Sequence, residues 1–164
     1  MPSTEEKRAA FHKLHDNGCF VLPNPWDVGS AKALQGLGFK ALASTSAGFA
    51  WSIGKADNRV TLDNLCGHLS ALCAAVDLPI NADFENGFAD EPEGVAAHVS
   101  RAAKTGIAGL SIEDATGDKA RPLMTSIWRS SASAPHARPS MPIAATSCWS
   151  AVVRLSCGGC PISS

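Results

Sequence analysis

Four short apolar runs recur along the first 115 residues of this chain, and each breaks off abruptly in polar residues. Cys19-Phe20-Val21-Leu22 ends in Pro23-Asn24-Pro25, and residues 39–43 end in Ser44-Thr45-Ser46. Residues 78–82 end in Asp83 and Glu85, and residues 108–112 end in Glu113-Asp114. The intervening stretches carry helical spacing. Val28 to Leu37 is closed by Gly38; Leu62, Leu65, Leu69, Leu72 and Val76 follow Thr61; Val95, Val99 and Ala103 follow Glu91-Pro92-Glu93. A further helix starts at Thr4, with Glu5 and Glu6 behind it and Ala9, Ala10, Phe11 and Leu14 as its apolar stripe. Apolar strand, polar loop, amphipathic helix, repeated, is the sequence form of an α/β protein with a parallel sheet and helical crossovers.

Four such units amount to half of an eight-stranded (β/α)8 barrel of the TIM type, and in α/β barrels the C-terminal strand ends carry the site. That rule directs attention to Leu78-Pro79-Ile80-Asn81-Ala82-Asp83-Phe84-Glu85-Asn86-Gly87-Phe88. Asp83 and Glu85 stand two apart, which in a strand puts both side chains on one face. Two carboxylates on one face repel unless a cation or a proton lies between them. A divalent metal is the first reading, and Mg2+ suits it as a hard ion that takes carboxylates together with waters and substrate oxygens. The alternative is a solvated loop turning at Gly87. If the strands run parallel, Glu113 becomes a third carboxylate aimed at the same mouth.

Composition narrows the function classes. With 164 residues, 45% of them hydrophobic and 18% charged, the chain is about one globular domain, and a net charge of -1 carries no nucleic-acid or membrane-surface signal. The charged start Met1 to Arg8 has no apolar core behind it and no stretch reaches eighteen apolar residues, so a cytoplasmic location is expected. Of the six cysteines, Cys19, Cys66 and Cys73 sit in apolar patterns as small hydrophobes, and Cys157-Gly158-Gly159-Cys160 is a lone pair without nearby histidines. No Gly-x-Gly-x-x-Gly or Walker loop follows any strand, which argues against a phosphate-binding α/β domain. All 15 acidic residues lie at or before Asp118, and beyond Leu123 the chain shows neither helical nor strand periodicity. The expected division is therefore 1–123 and an irregular tail, 124–164.

With these residues in view, the stretch from Phe20 to about Leu123 resembles the isocitrate lyase and phosphoenolpyruvate mutase (phosphonomutase) superfamily. Pro25-Trp26-Asp27-Val28-Gly29-Ser30-Ala31 is similar to the family's first strand-to-helix segment. Ser44-Thr45-Ser46, followed by Gly54 and Asp57-Asn58, is similar to its small-hydroxyl loop and Gly-x-x-Asp. Asp83 to Ala89 resembles the Asp-x-Asp/Glu-x-Gly-Tyr/Phe-Gly magnesium signature, with Ala89 in place of the last glycine, and Leu110 to Asp114 resembles the Leu-x-x-Glu-Asp strand end.

The resemblance implies a Mg2+ ion held by Asp83, with Glu85 and Glu113 ordering its waters. It implies cleavage of a C–C or P–C bond in a small α-oxyacid of the oxaloacetate, 2-methylisocitrate or phosphonopyruvate type, through an enolate-like intermediate. Trp26, Asp27, Ser44, Thr45, Ser46 and Ala47 would line the substrate, while Asp57, Glu113 and Lys119 would act in the chemistry. The family's Lys-Lys-Cys-Gly-His loop is absent between Glu113 and Leu123, and the segment 115–122 offers Lys119 without the phosphonomutase asparagine, so lyase, phosphonomutase and hydrolase activities stay open.

The resemblance implies homo-oligomers assembled through C-terminal helices, which this chain is expected to lack if its tail is read out of frame. Read one base earlier, Met124 to Ser130 permits Tyr-Asp-Phe-Asp-Leu-Ala-Val, and by the same offset Thr146 to Val153 permits Asp-Val-Leu-Leu-Val-Gly-Arg-Ser. The expectation is that the tail is a frame-displaced reading of the family's next helix and strand. The competing reading is a catalytically inactive fragment, or a module completed by a partner chain.

Overall fold

The computed structural model describes residues 1–113, 120, 143–144 and 151–154. Asp114, Lys119, the boundary at Leu123, the frame-displaced segment 124–130 and residues 146–150 of the second such segment lie outside these residues. In chain order the elements are α1 (Thr4–Leu14), α2 (Val28–Gly36), β1 (Leu42–Ala43), α3 (Ser46–Ser52), α4 (Leu62–Ala75), β2 (Ile80–Asp83), α5 (Pro92–Ala103), β3 (Gly109–Ile112), β4 (Ile143–Ala144) and β5 (Ala151–Arg154). The helix starts follow capping chemistry. Ser3 rather than Thr4 caps α1, because only Ser3 has a glutamate three residues on: its hydroxyl accepts from the Glu6 amide and the Glu6 carboxylate accepts from the Ser3 amide. Asp27 caps α2, Thr45 caps α3 and Thr61 caps α4.

The sheet order is β1-β2-β3-β5-β4, with β1, β2 and β3 parallel and in chain order. Leu42 lies opposite Ile80, Asn81 opposite Gly109, and Asp83 opposite Ser111. The expected strand at 19–22 does not form. Its run ends in Pro23 and Pro25, which have no N–H to donate, and the contact with β1 comes down to Ala43 N–H on Pro23 O at 3.1 Å and Asn24 Nδ2 on Ala43 O at 3.1 Å. Another departure is α3, seven residues long where the sequence reads as a loop; a helix this short shows too little of its 3.6-residue period to be recognised. The third lies in the tail. Where a barrel wall would continue with a parallel strand, β5 pairs antiparallel with β3, Leu110 opposite Val153. A free strand edge is a row of unpaired N–H and C=O groups, and pairing with it is a backbone matter that needs no side-chain periodicity.

The two faces of the parallel strands differ in character. Ile80, Ala82 and Leu110 join the main core with Leu65, Leu69 and Leu72 of α4 and Val95 and Val99 of α5. Alternation turns Asn81, Asp83, Gly109 and Ser111 to the other face. There Asn81 Nδ2 donates to Ser111 Oγ at 2.9 Å, and Phe11 of α1 packs with Ala41 and Ala108. The buried Lys7 ammonium donates to Cys73 O and Val76 O at the end of α4, and Arg8 donates to Ala103 O and Ile107 O after α5. α1 is thus fastened at the end of the sheet where strands begin, which leaves the opposite end open. No helix among the described residues is long and apolar enough to cross a membrane.

α3 is held to α4 by Phe49, whose ring stacks on His68 with centroids 3.9 Å apart. Burial holds the His68 imidazole neutral and pushes its pKa from 6.5 down to about 4, partly offset by the Asp27 charge; its Nε2 has no hydrogen-bond partner among the described residues. Between pH 6.5 and 4 the unfolded chain therefore binds a proton that the folded chain does not. Stability from this site is complete above the upper value and falls as the pH drops through the window, by about 1–2 kcal/mol after discounting for partial exposure. His68→Phe is expected to remove that portion, read as the difference between urea midpoints at pH 5 and pH 7; an unchanged difference in the variant would refute it.

Candidate active site at the strand ends

Asp83 is the last residue of β2, and both its main chain and its carboxylate are held from the β1 side. Its N–H donates to Ser44 Oγ at 2.8 Å, and its Oδ2 accepts the N–H of Ser46, the first residue of α3, also at 2.8 Å. From the β3 side, Ser111 O accepts the Phe84 N–H at 3.0 Å, and Glu85 O accepts the Glu113 N–H at 2.8 Å. These backbone bonds exist because the strands are parallel and in register, and they put Asp83, Glu85 and Glu113 at one end of the sheet.

The loop after β2 carries three residues in the left-handed region, Glu85 (φ 46), Gly87 (φ 81) and Phe88 (φ 60). For a residue with a side chain that conformation costs about 1–2 kcal/mol. It is held by the buried Phe84, whose ring meets Phe88 edge-on at 5.4 Å, and by close docking on α5: a Cβ at Gly87 would lie 2.8 Å from Val95 Cγ1.

The charge environment is shared among four acids. Burial pushes the Glu85 carboxyl up to about 7, and the charges of Asp83, Asp57 and Glu113 push it in the same direction. Two of these, Asp57 and Glu113, line with Glu85 an open groove of about 740 Å³, together with Asn58, Arg59, Asn86, Phe88 and Asp90. The donor set is all oxygen and anionic, and a cation placed there would relieve the repulsion, so the residues fit a hard divalent ion. Among the described residues no three His, Cys, Asp or Glu side chains are placed as a ready metal cage.

Several residues expected at the substrate also make local bonds. Ser44 is buried and its hydroxyl oxygen is taken by the Asp83 amide. Thr45 Oγ1 accepts from the Gly48 amide as the α3 cap. The Asp27 carboxylate accepts from the Ser30 amide at 2.7 Å, and bonds to the backbone and side chain of Ser30 hold its pKa below the usual carboxylate range. Trp26 is half exposed, and neither it nor Asp27, Ser44, Thr45, Ser46 or Ala47 lines the groove. Ser46 and Ala47 open α3 next to Asp83. Sequence reasoning passed over Arg59, the one cation among the described groove residues, because a charge in a turn has no pattern to distinguish it.

The family model described as phosphoenolpyruvate phosphomutase matches residues 11–143, and the chain belongs to this family, within the phosphoenolpyruvate mutase/isocitrate lyase superfamily. Its solved relatives include a protein of Burkholderia cenocepacia J2315 described as a lyase/mutase, 45% identical, with a TM-score of 0.74 over 76% of this chain and 46% of that one. Another is 2,3-dimethylmalate lyase, 27% identical, with a TM-score of 0.63 over 77% of this chain and 44% of the other. The uncharacterised protein Rv1998c of Mycobacterium tuberculosis is 39% identical over 111 residues, 67% of this chain and 42% of its own length. The chain thus spans less than half the length of each of these relatives.

Proposed function

We propose that this chain carries the Mg2+-binding half of an enzyme that cleaves a C–C or P–C bond in a small α-oxyacid, residues 1–123 forming one wall of a (β/α)8 barrel in a cytoplasmic protein. The observation that supports this best is the convergence of Asp83, Glu85 and Glu113 at one sheet end, tied by the Glu113 N–H bond to Glu85 O. Asp83 would hold the ion directly, and Glu85 and Glu113 would hold its waters. When bound, Mg2+ supplies a positive charge against the negative charge that develops on the 2-oxo oxygen as the bond breaks.

The remaining roles fall to the chain's own groups. Ser46 fixes the Asp83 carboxylate through its amide, Asp57 faces the reacting end of the substrate across the groove, and Arg59 on the groove wall is suited to an anionic group at the other end. Lys119 and the Ser46 hydroxyl remain candidates for contact with the substrate. The direct test is turnover of oxaloacetate, 2-methylisocitrate and phosphonopyruvate by the purified chain, with Mg2+ and with EDTA. The expected result is turnover of one of them, abolished by the chelator. No turnover of any would overturn the catalytic reading and favour a module completed by another chain.

A further inference from the structure

Beyond Phe84, two hydrogen bonds reach the Glu85 loop from outside it, and they differ in kind. One is the backbone bond from Glu113 N–H to Glu85 O, at 2.8 Å. The other is a side chain: His98, on α5 and half-buried, brings Nδ1 to 3.0 Å from Gly87 O. A carbonyl oxygen only accepts, so Nδ1 carries the proton in this contact. Within the loop, Gly87 N–H donates to Phe84 O at 2.9 Å and Phe88 N–H donates to Asn86 Oδ1 at 3.0 Å, so the turn closes on itself at the residue His98 grips. Residues in the left-handed region persist only where their surroundings over-determine them, and here two flank the gripped residue within two positions, Glu85 and Phe88.

We propose that His98 is a positioning residue: by holding Gly87 O it keeps the Glu85 loop in its left-handed conformation and so presets the carboxylates for a cation. The effect on Mg2+ rests on the function proposed above; the clamp on the loop does not. In His98→Ala the amides of Gly87 and Phe88 should exchange with solvent about tenfold faster, with those of α4 and the α5 interior unchanged, and Mg2+ should bind roughly tenfold more weakly. Asn places an amide N–H near the Nδ1 position, whereas Gln places it near Nε2. His98→Asn should therefore restore both readouts and His98→Gln should not, a contrast that does not depend on the alanine variant folding well.

Unchanged loop exchange in His98→Ala, or equal behaviour of the Asn and Gln variants, would overturn the clamp. If the native chain binds no Mg2+, the metal reading fails, and the exchange result still decides the clamp. If Mg2+ binds equally to the native and alanine chains while exchange accelerates, the presetting of the carboxylates is refuted.

Discussion

Asp83→Ala is expected to weaken Mg2+ binding by a hundredfold or more, about 2.7 kcal/mol, in a calorimetric titration of the purified chain. Loss of a direct carboxylate ligand exceeds what removing an outer partner costs, and Asp83 is the acid whose orientation is fixed from a neighbouring helix, through Ser46 N–H at 2.8 Å. The substitution also strands that amide, which adds a stability loss of about 1 kcal/mol. Asp83→Asn separates the two effects, because its Oδ1 still accepts from Ser46 while the charge is gone. The Asn variant should melt close to the native chain and bind Mg2+ nearly as poorly as the alanine variant. Native-like Mg2+ affinity in Asp83→Asn would remove this residue from the metal site.

The largest effect on stability is expected at the other end of the same strands. Gly109 opens β3, and a Cβ there would lie 2.7 Å from Phe11 Cε1 and 2.9 Å from Asn81 Oδ1. Neither neighbour yields easily. Phe11 is fully buried and packs edge-on against both His15 and Phe20, and Asn81 is buried with its Nδ2 committed to Ser111. Gly109→Ala should therefore push α1 off the sheet and cost roughly 2–3 kcal/mol, measured by urea unfolding. Gly38→Ala is the contrast, since a Cβ there meets nothing within 4 Å, and its cost comes from a φ of 88 alone. A Gly109→Ala chain as stable as the native one would mean that α1 does not bear on the strand starts.

These two sites show how differently parts of the molecule could be read from residues. Asp83, Glu85 and Glu113 were legible because a strand's two-residue period and a parallel sheet's common direction are local rules, and the acids sit where apolar runs stop. The helices after Thr61 and Glu91 were legible for the same reason, the first from its Thr61 cap, the second from Pro92 in its first turn, and both from their apolar stripes. The run 19–22 misled, since its composition suits a strand while the prolines that follow deprive it of donors. Ser44 and Thr45 carry bonds that no local pattern shows: their hydroxyl oxygens accept the Asp83 and Gly48 amides.

The sequence by itself determined an α/β chain with acidic strand ends, because periodicity, capping and the placement of charge act over a few residues. The tertiary structure decided which acids share one field. Burial raises the Glu85 pKa to about 7, and the charges of Asp83, of Asp57 from a loop 28 residues earlier and of Glu113 push it the same way. It also decided that His98 bonds to the Glu85 loop at Gly87 O and that β5 pairs with the edge of β3 in the antiparallel sense. Such contacts depend on distance through space, burial and backbone pairing, and none of these has a period along the chain.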